Sequence, residues 1–137
     1  MTTSNSNPKP IIFLSLLISG WITTLLIESS QPPLPLLGEV YGLDKVAHFL
    51  AFSALGLLVC ALSFKLTPRP AIPLFSMPLL IVTLSGIIEE SYQMLVPARA
   101  ASLLDLLADI CGALFAIILA NRVALLIRAN NHQISSD

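Results

Sequence analysis

The stretch Ile11-Ile12-Phe13-Leu14-Ser15-Leu16-Leu17-Ile18-Ser19-Gly20-Trp21-Ile22-Thr23-Thr24-Leu25-Leu26-Ile27 carries no charged side chain from end to end. At 1.5 Å of rise per residue, a helix over 11–27 is just long enough to cross about 30 Å of hydrocarbon. A cation ahead of an apolar run, here Lys9, is also the signature of a cleaved signal peptide. The residues that follow, Glu28-Ser29-Ser30-Gln31-Pro32, make a poor small-residue cleavage site. The segment is therefore expected to be retained as a first transmembrane helix.

The rest of the chain repeats this block pattern. Pro32, Pro33 and Pro35 forbid helix and predict an extended surface loop over residues 31–39. Asp44 is a candidate N-cap for a second helix over about 45–64. Lys65 to Pro70 reads as a short cationic turn, and a third apolar run covers about 73–95, ending before Pro97. Ser102 is positioned to cap a fourth helix over about 103–120, which residues 123–127 could prolong. The expected architecture is all-α: a polytopic membrane protein with a bundle of four transmembrane helices over residues 11–128. A disordered tail (1–10) precedes the bundle and a polar tail (129–137) follows it.

Composition points the same way. Hydrophobic residues make up 55% of the chain, charged residues 11%, and the mean hydropathy is +0.86. A soluble domain carries roughly 25% charged residues, so this chain could not cover its surface with charge. The formal net charge of −1 and the lack of a basic run exclude nucleic acid as a partner. Cys60 and Cys111 lie inside apolar blocks and read as small buried hydrophobes, not as a disulfide framework. No H-E-x-x-H, C-x-x-C or Walker pattern occurs, so no cofactor and no resident metal are expected. With the N-terminus inside, Lys9, Lys65, Arg69, Arg122 and Arg128 are cytoplasmic and only Lys45 and Arg99 are outside.

That topology gathers the informative polar residues at one membrane face. Asp44, Lys45 and His48 open the second helix; Glu89, Glu90 and Gln93 close the third; Arg99 follows, and Asp105 and Asp109 open the fourth. Asp44 and His48, Glu89 and Gln93, and Asp105 and Asp109 are each four residues apart and share a helix face. Gly112 continues the last stripe and would permit close helix approach. Carboxylates inside the apolar boundary must face protein, water or a partner, and Arg99 is the expected counter-ion through a bidentate pair. Glu90 is expected to point away from Glu89 into solvent. Blander roles stand beside these: Asp44 as a cap only, Lys45 as a snorkelling side chain, His48 as a packing residue, and the whole set as an ion-pair network.

Glu28-Ser29-Ser30-Gln31-Pro32-Pro33-Leu34-Pro35 and Asp44-Lys45-Val46-Ala47-His48-Phe49-Leu50-Ala51-Phe52 resemble the VanZ-like membrane proteins. So do Ile88-Glu89-Glu90-Ser91-Tyr92-Gln93, Pro97-Ala98-Arg99 and Leu104-Asp105-Leu106-Leu107-Ala108-Asp109-Ile110-Cys111-Gly112, in family order. The resemblance implies a multi-pass protein of the bacterial cytoplasmic membrane, in a family named for resistance to the glycopeptide teicoplanin. It does not imply a reaction. Two positions depart from the family pattern: Ala98 stands where glycine is usual, and Asp109 where asparagine is usual.

The site expected from these residues comprises Asp44, Lys45, His48, Glu89, Gln93, Arg99, Asp105 and Asp109. It would bind the head group of an anionic membrane lipid or lipid-linked cell-wall precursor, with Arg99 and Lys45 on phosphate. The alternatives are a structural or assembly subunit docked to another membrane protein, and a hydrolase or transferase acting on lipid-linked phosphate. In the enzyme, Glu89 and Asp105 would hold a divalent cation or act as acid and base, assisted by His48. The enzyme is the less favoured reading, since its motif signal is weak.

Overall fold

The computed structural model describes residues 8–32, 40, 42–67, 76–97, 99 and 101–134. They form four helices in chain order: α1 (Pro8–Ser29), α2 (Leu43–Leu66), α3 (Ser76–Gln93) and α4 (Leu103–Ile134). No strand occurs among the described residues. α1, α2 and α4 are each long and apolar enough to cross a membrane; α3, with 18 residues and two glutamates near its end, is not by itself. Pro8 and Pro10 sit in the first turn of α1 and Pro78 in the first turn of α3. There the missing N–H would have had no intrahelical acceptor anyway.

The polarity of the bundle is inverted relative to a soluble protein. Large apolar side chains such as Phe13, Leu16, Leu50, Leu84, Ile118 and Leu126 face outward on all four helices. Glu89, Gln93, Asp105 and Asp109 face inward. Hydroxyls within the spans bond their own helix: Thr23 donates to the Ser19 carbonyl, Ser53 to Phe49 and Ser63 to Val59. A hydroxyl satisfied in this way can sit in hydrocarbon without a water partner. This distribution is that of a membrane protein.

α2 is the central helix and packs most extensively on α4. Phe52, Leu55 and Val59 of α2 meet Val82 of α3 and Ala113 of α4, and Ile18, Ile22 and Leu25 of α1 close over them. Trp21 Nε1 donates to the Ala51 carbonyl at 3.1 Å and pins α1 to α2. Gly112 is where α2 and α4 touch. A Cβ there would lie 2.5 Å from the Phe49 carbonyl oxygen and 3.0 Å from the Ser53 nitrogen, so only glycine permits this approach.

Several sequence expectations are corrected. α1 begins at Pro8, inside the segment read as tail, and α4 continues through residues 121–134 instead of ending near 120. Asp44 is not the cap of α2. The N-cap is Gly42, in the left-handed region at φ 81°, with no side-chain cap bond, and Lys45 engages the Asp44 carboxylate instead. Cys60 is buried as expected, but Cys111 is exposed on the outer wall of α4. The expected tail at 1–7, most of the proline-rich loop (33–39), residues 68–75 and Ala98 lie outside the described residues.

Candidate functional site

The helices alternate in direction, so the C-terminal ends of α1 and α3 and the N-terminal ends of α2 and α4 share one end of the bundle. Every one of the eight expected site residues lies there. Lys45 Nζ donates to Asp44 Oδ2 at 2.8 Å and to Asp105 Oδ1 at 2.9 Å, joining α2 to α4. One turn deeper, His48 Nδ1 lies 2.9 Å from Asp109 Oδ1. The His48 side chain is 13% exposed and that of Asp109 fully buried. From α3, Glu89 Oε1 accepts from the Ser29 hydroxyl of α1 at 2.6 Å and from Gln93 Nε2 at 3.4 Å. Glu90 Oε2 accepts from the Ser102 backbone N–H at 2.8 Å, just before α4 begins.

Two of these contacts overturn the expected pairing. Glu90 is buried and holds the start of α4; it does not point into solvent. Arg99 does not neutralise Asp105 or Asp109. Its Nε donates to the Gln31 carbonyl at 2.8 Å, and its Nη2 to both the carbonyl and Oε1 of Glu28 at 2.9 Å. The last carbonyls of α1 have no intrahelical donor, and a guanidinium in the turn after α3 is well shaped to satisfy them. Arg99 is thus a clip between α1 and the turn before α4. Arg99→Ala is expected to lower stability by about 1–3 kcal/mol, the range for charged hydrogen bonds. Limited proteolysis near residues 94–102 should report it as faster cleavage.

The buried carboxylates are incompletely satisfied. Glu89 Oε2, Glu90 Oε1 and Asp109 Oδ2 are inaccessible and accept no hydrogen bond among the described residues. Asp109 Oδ2 occupies space left by Gly86 of α3, where a Cβ would come within 2.8 Å of it. Of the cations, Lys45 is the more open, with its side chain 30% exposed against 10% for Arg99. An ammonium has three N–H donors, and the two carboxylates use two of them.

Glu28, Ser29 and Ser102 complete the cluster without having been expected in it, and Glu90, expected at this end but in solvent, joins them. Glu28 and Ser29 end the first apolar run, and Ser102 precedes the fourth, so each was marked by position. Nothing in helical spacing pairs them with a given partner, because pairing depends on how the helices are rotated against one another.

The family model described as VanZ/LLP1 matches residues 2–127, most of the chain. No curated protein and no solved structure matches it significantly. The four helices, the apolar exterior and the polar cluster all lie within the matched residues or continue directly from them. The chain belongs to the VanZ/LLP1 family.

Proposed function

We propose that this protein lies in the bacterial cytoplasmic membrane and binds, at the polar end of its bundle, the head group of an anionic lipid or lipid-linked cell-wall precursor. The observation that carries the reading is Lys45, held at the mouth of the cluster by Asp44 and Asp105 with a donor to spare. One turn below it lies the imidazole of His48, the further side chain there able to donate to a phosphate on Lys45. The positive-inside bias supports placing this end outside: Lys9, Lys65, Arg122 and Arg128 belong to the opposite ends of α1, α2 and α4. A precursor head group as ligand also agrees with the family's association with glycopeptide resistance.

Native mass spectrometry from mild detergent, with phosphatidylglycerol added to delipidated protein, tests the reading. Wild type is expected to retain the lipid. Lys45→Ala is expected to lose about 1.5–3 kcal/mol of affinity, roughly a tenfold or larger rise in Kd. Wild type that stays bare at saturating lipid would end this reading. The second reading is structural and is favoured by Arg99, whose Nε and Nη2 donors serve Gln31 and Glu28 of its own chain. An assembly subunit of that kind would show the same lipid occupancy with and without Lys45, and would co-purify with another membrane protein.

A further inference from the structure

We propose that His48, Glu89 and Asp109 form a binding site for one divalent transition-metal ion of the Mn²⁺ or Zn²⁺ kind. The proposal concerns the same end of the bundle but does not require that a lipid head group bind there. One ligand atom from each of the three residues lies within 4.8 Å of the others, and the three come from α2, α3 and α4. His48 also belongs to a second such group with Glu90 and Asp105, so carboxylates flank the imidazole on two sides.

The unpartnered oxygens turn this cluster into a site. Glu89 is 3% exposed and Asp109 is fully buried, yet Glu89 Oε2 and Asp109 Oδ2 accept no hydrogen bond among the described residues. A buried acceptor left without a donor costs about 1–3 kcal/mol, and more when charged. The nearby donors are already given to the other oxygens: the Ser29 hydroxyl to Glu89, His48 Nδ1 to Asp109 and the Ser102 N–H to Glu90. A proton on one carboxyl satisfies one oxygen and then needs an acceptor of its own. A cation satisfies several lone pairs at once and removes the repulsion among the carboxylates. Gly86 leaves the room that lets Asp109 sit against α3, since a Cβ there would collide with Asp109 Oδ2.

The donor set chooses the ion. Imidazole with carboxylates suits Mn²⁺, Fe²⁺ and Zn²⁺ better than the all-oxygen preference of Mg²⁺ and Ca²⁺. Adjacent ligands about 2.1 Å from one ion stand about 3.0 Å apart in an octahedral site and about 3.4 Å apart in a tetrahedral one. Once the ion displaces the Nδ1 proton, the 2.9 Å between His48 Nδ1 and Asp109 Oδ1 is close to the octahedral edge. The Glu89 ligand oxygen lies within 4.8 Å of the other two ligand atoms, and a change of rotamer in its long side chain closes the rest.

The test uses protein without a histidine tag, stripped by chelator and delipidated, titrated with MnCl₂ or ZnCl₂ alone. Calorimetry and elemental analysis are expected to find one ion per chain, and saturating metal is expected to raise the melting temperature. Asp109→Asn and Glu89→Gln should each weaken binding by more than about tenfold. Lys65→Gln, at the opposite end of α2, should bind as wild type does. A variant that fails to fold is bypassed by pulsed EPR of Mn²⁺ in His132→Gln protein, where His48 is the sole imidazole; coupling to a histidine nitrogen is expected. Folded wild type that binds neither ion at millimolar concentration overturns the site, as does undiminished binding in both carboxamide variants or Mn²⁺ without nitrogen coupling. Because no lipid is present, these outcomes are separate from those of the head-group experiment.

Discussion

His48→Phe is expected to destabilise the protein by about 3–5 kcal/mol, the penalty for stripping a buried charge of its partner. Phenylalanine keeps the ring that stacks on Phe52, with centroids 6.4 Å apart and planes inclined by 11°. The loss would therefore come from the hydrogen bond to Asp109 and not from packing. Asp109 is fully buried, and with His48 gone neither of its oxygens has a donor among the described residues. The double variant His48→Phe/Asp109→Leu should recover most of the stability, since two apolar groups replace a pair that must be satisfied together. Unfolding by SDS in mixed micelles, followed by far-UV circular dichroism, measures both. Additive losses in the double variant would mean that the two side chains do not depend on each other.

The second large effect is steric. Gly112→Ala places a methyl 2.5 Å from a backbone carbonyl of α2, where no flexible side chain can yield. The helices must move apart, at about 1–3 kcal/mol for overpacking, and Gly112→Leu should exceed that range. Separating α2 from α4 would also lengthen the Lys45–Asp105 and His48–Asp109 bonds, which bridge the same two helices. Gly20→Ala is the control: nothing lies within 4 Å of a Cβ there, so its unfolding midpoint should be no lower than that of wild type, alanine favouring the helix by about 0.5–1 kcal/mol.

The helical architecture was legible because lipid as a solvent writes long, uncharged runs into the chain, and the runs at 11–27, 45–64 and 103–120 all fall within observed helices. The gathering of charge at one end was legible as well, since alternating helix direction follows from short connections. The pairing was not. Charge alone pointed Arg99 to Asp105 or Asp109, but the Glu28 carboxylate and the Glu28 and Gln31 carbonyls around the end of α1 take its donors. Asp44 had the right chemistry for a cap and lost that role to a glycine with positive φ two residues earlier. Glu90 follows Glu89 by one residue and so turns through about 100° of helix, which the sequence reads as outward. In the bundle that direction meets the segment entering α4, and the carboxylate is covered. Rotation and close approach of helices decided each case, and neither is encoded in spacing along one chain.

The modest apolarity of α3 bears on how the protein is made. α1, α2 and α4 can each partition into the bilayer as independent units, but α3 carries Glu89, Glu90 and Gln93 in its last two turns. The Ser29 hydroxyl and the Ser102 amide that serve these glutamates both come from other segments, the second translated after α3. Alone in hydrocarbon, its glutamates would each face a penalty of a few kcal/mol. α3 therefore has to wait near the insertion machinery until α4 emerges, and the two enter as a pair. Biogenesis of this chain is then a concerted event at its C-terminal half, and a ribosome stalled before Ser102 would leave α3 outside the hydrocarbon.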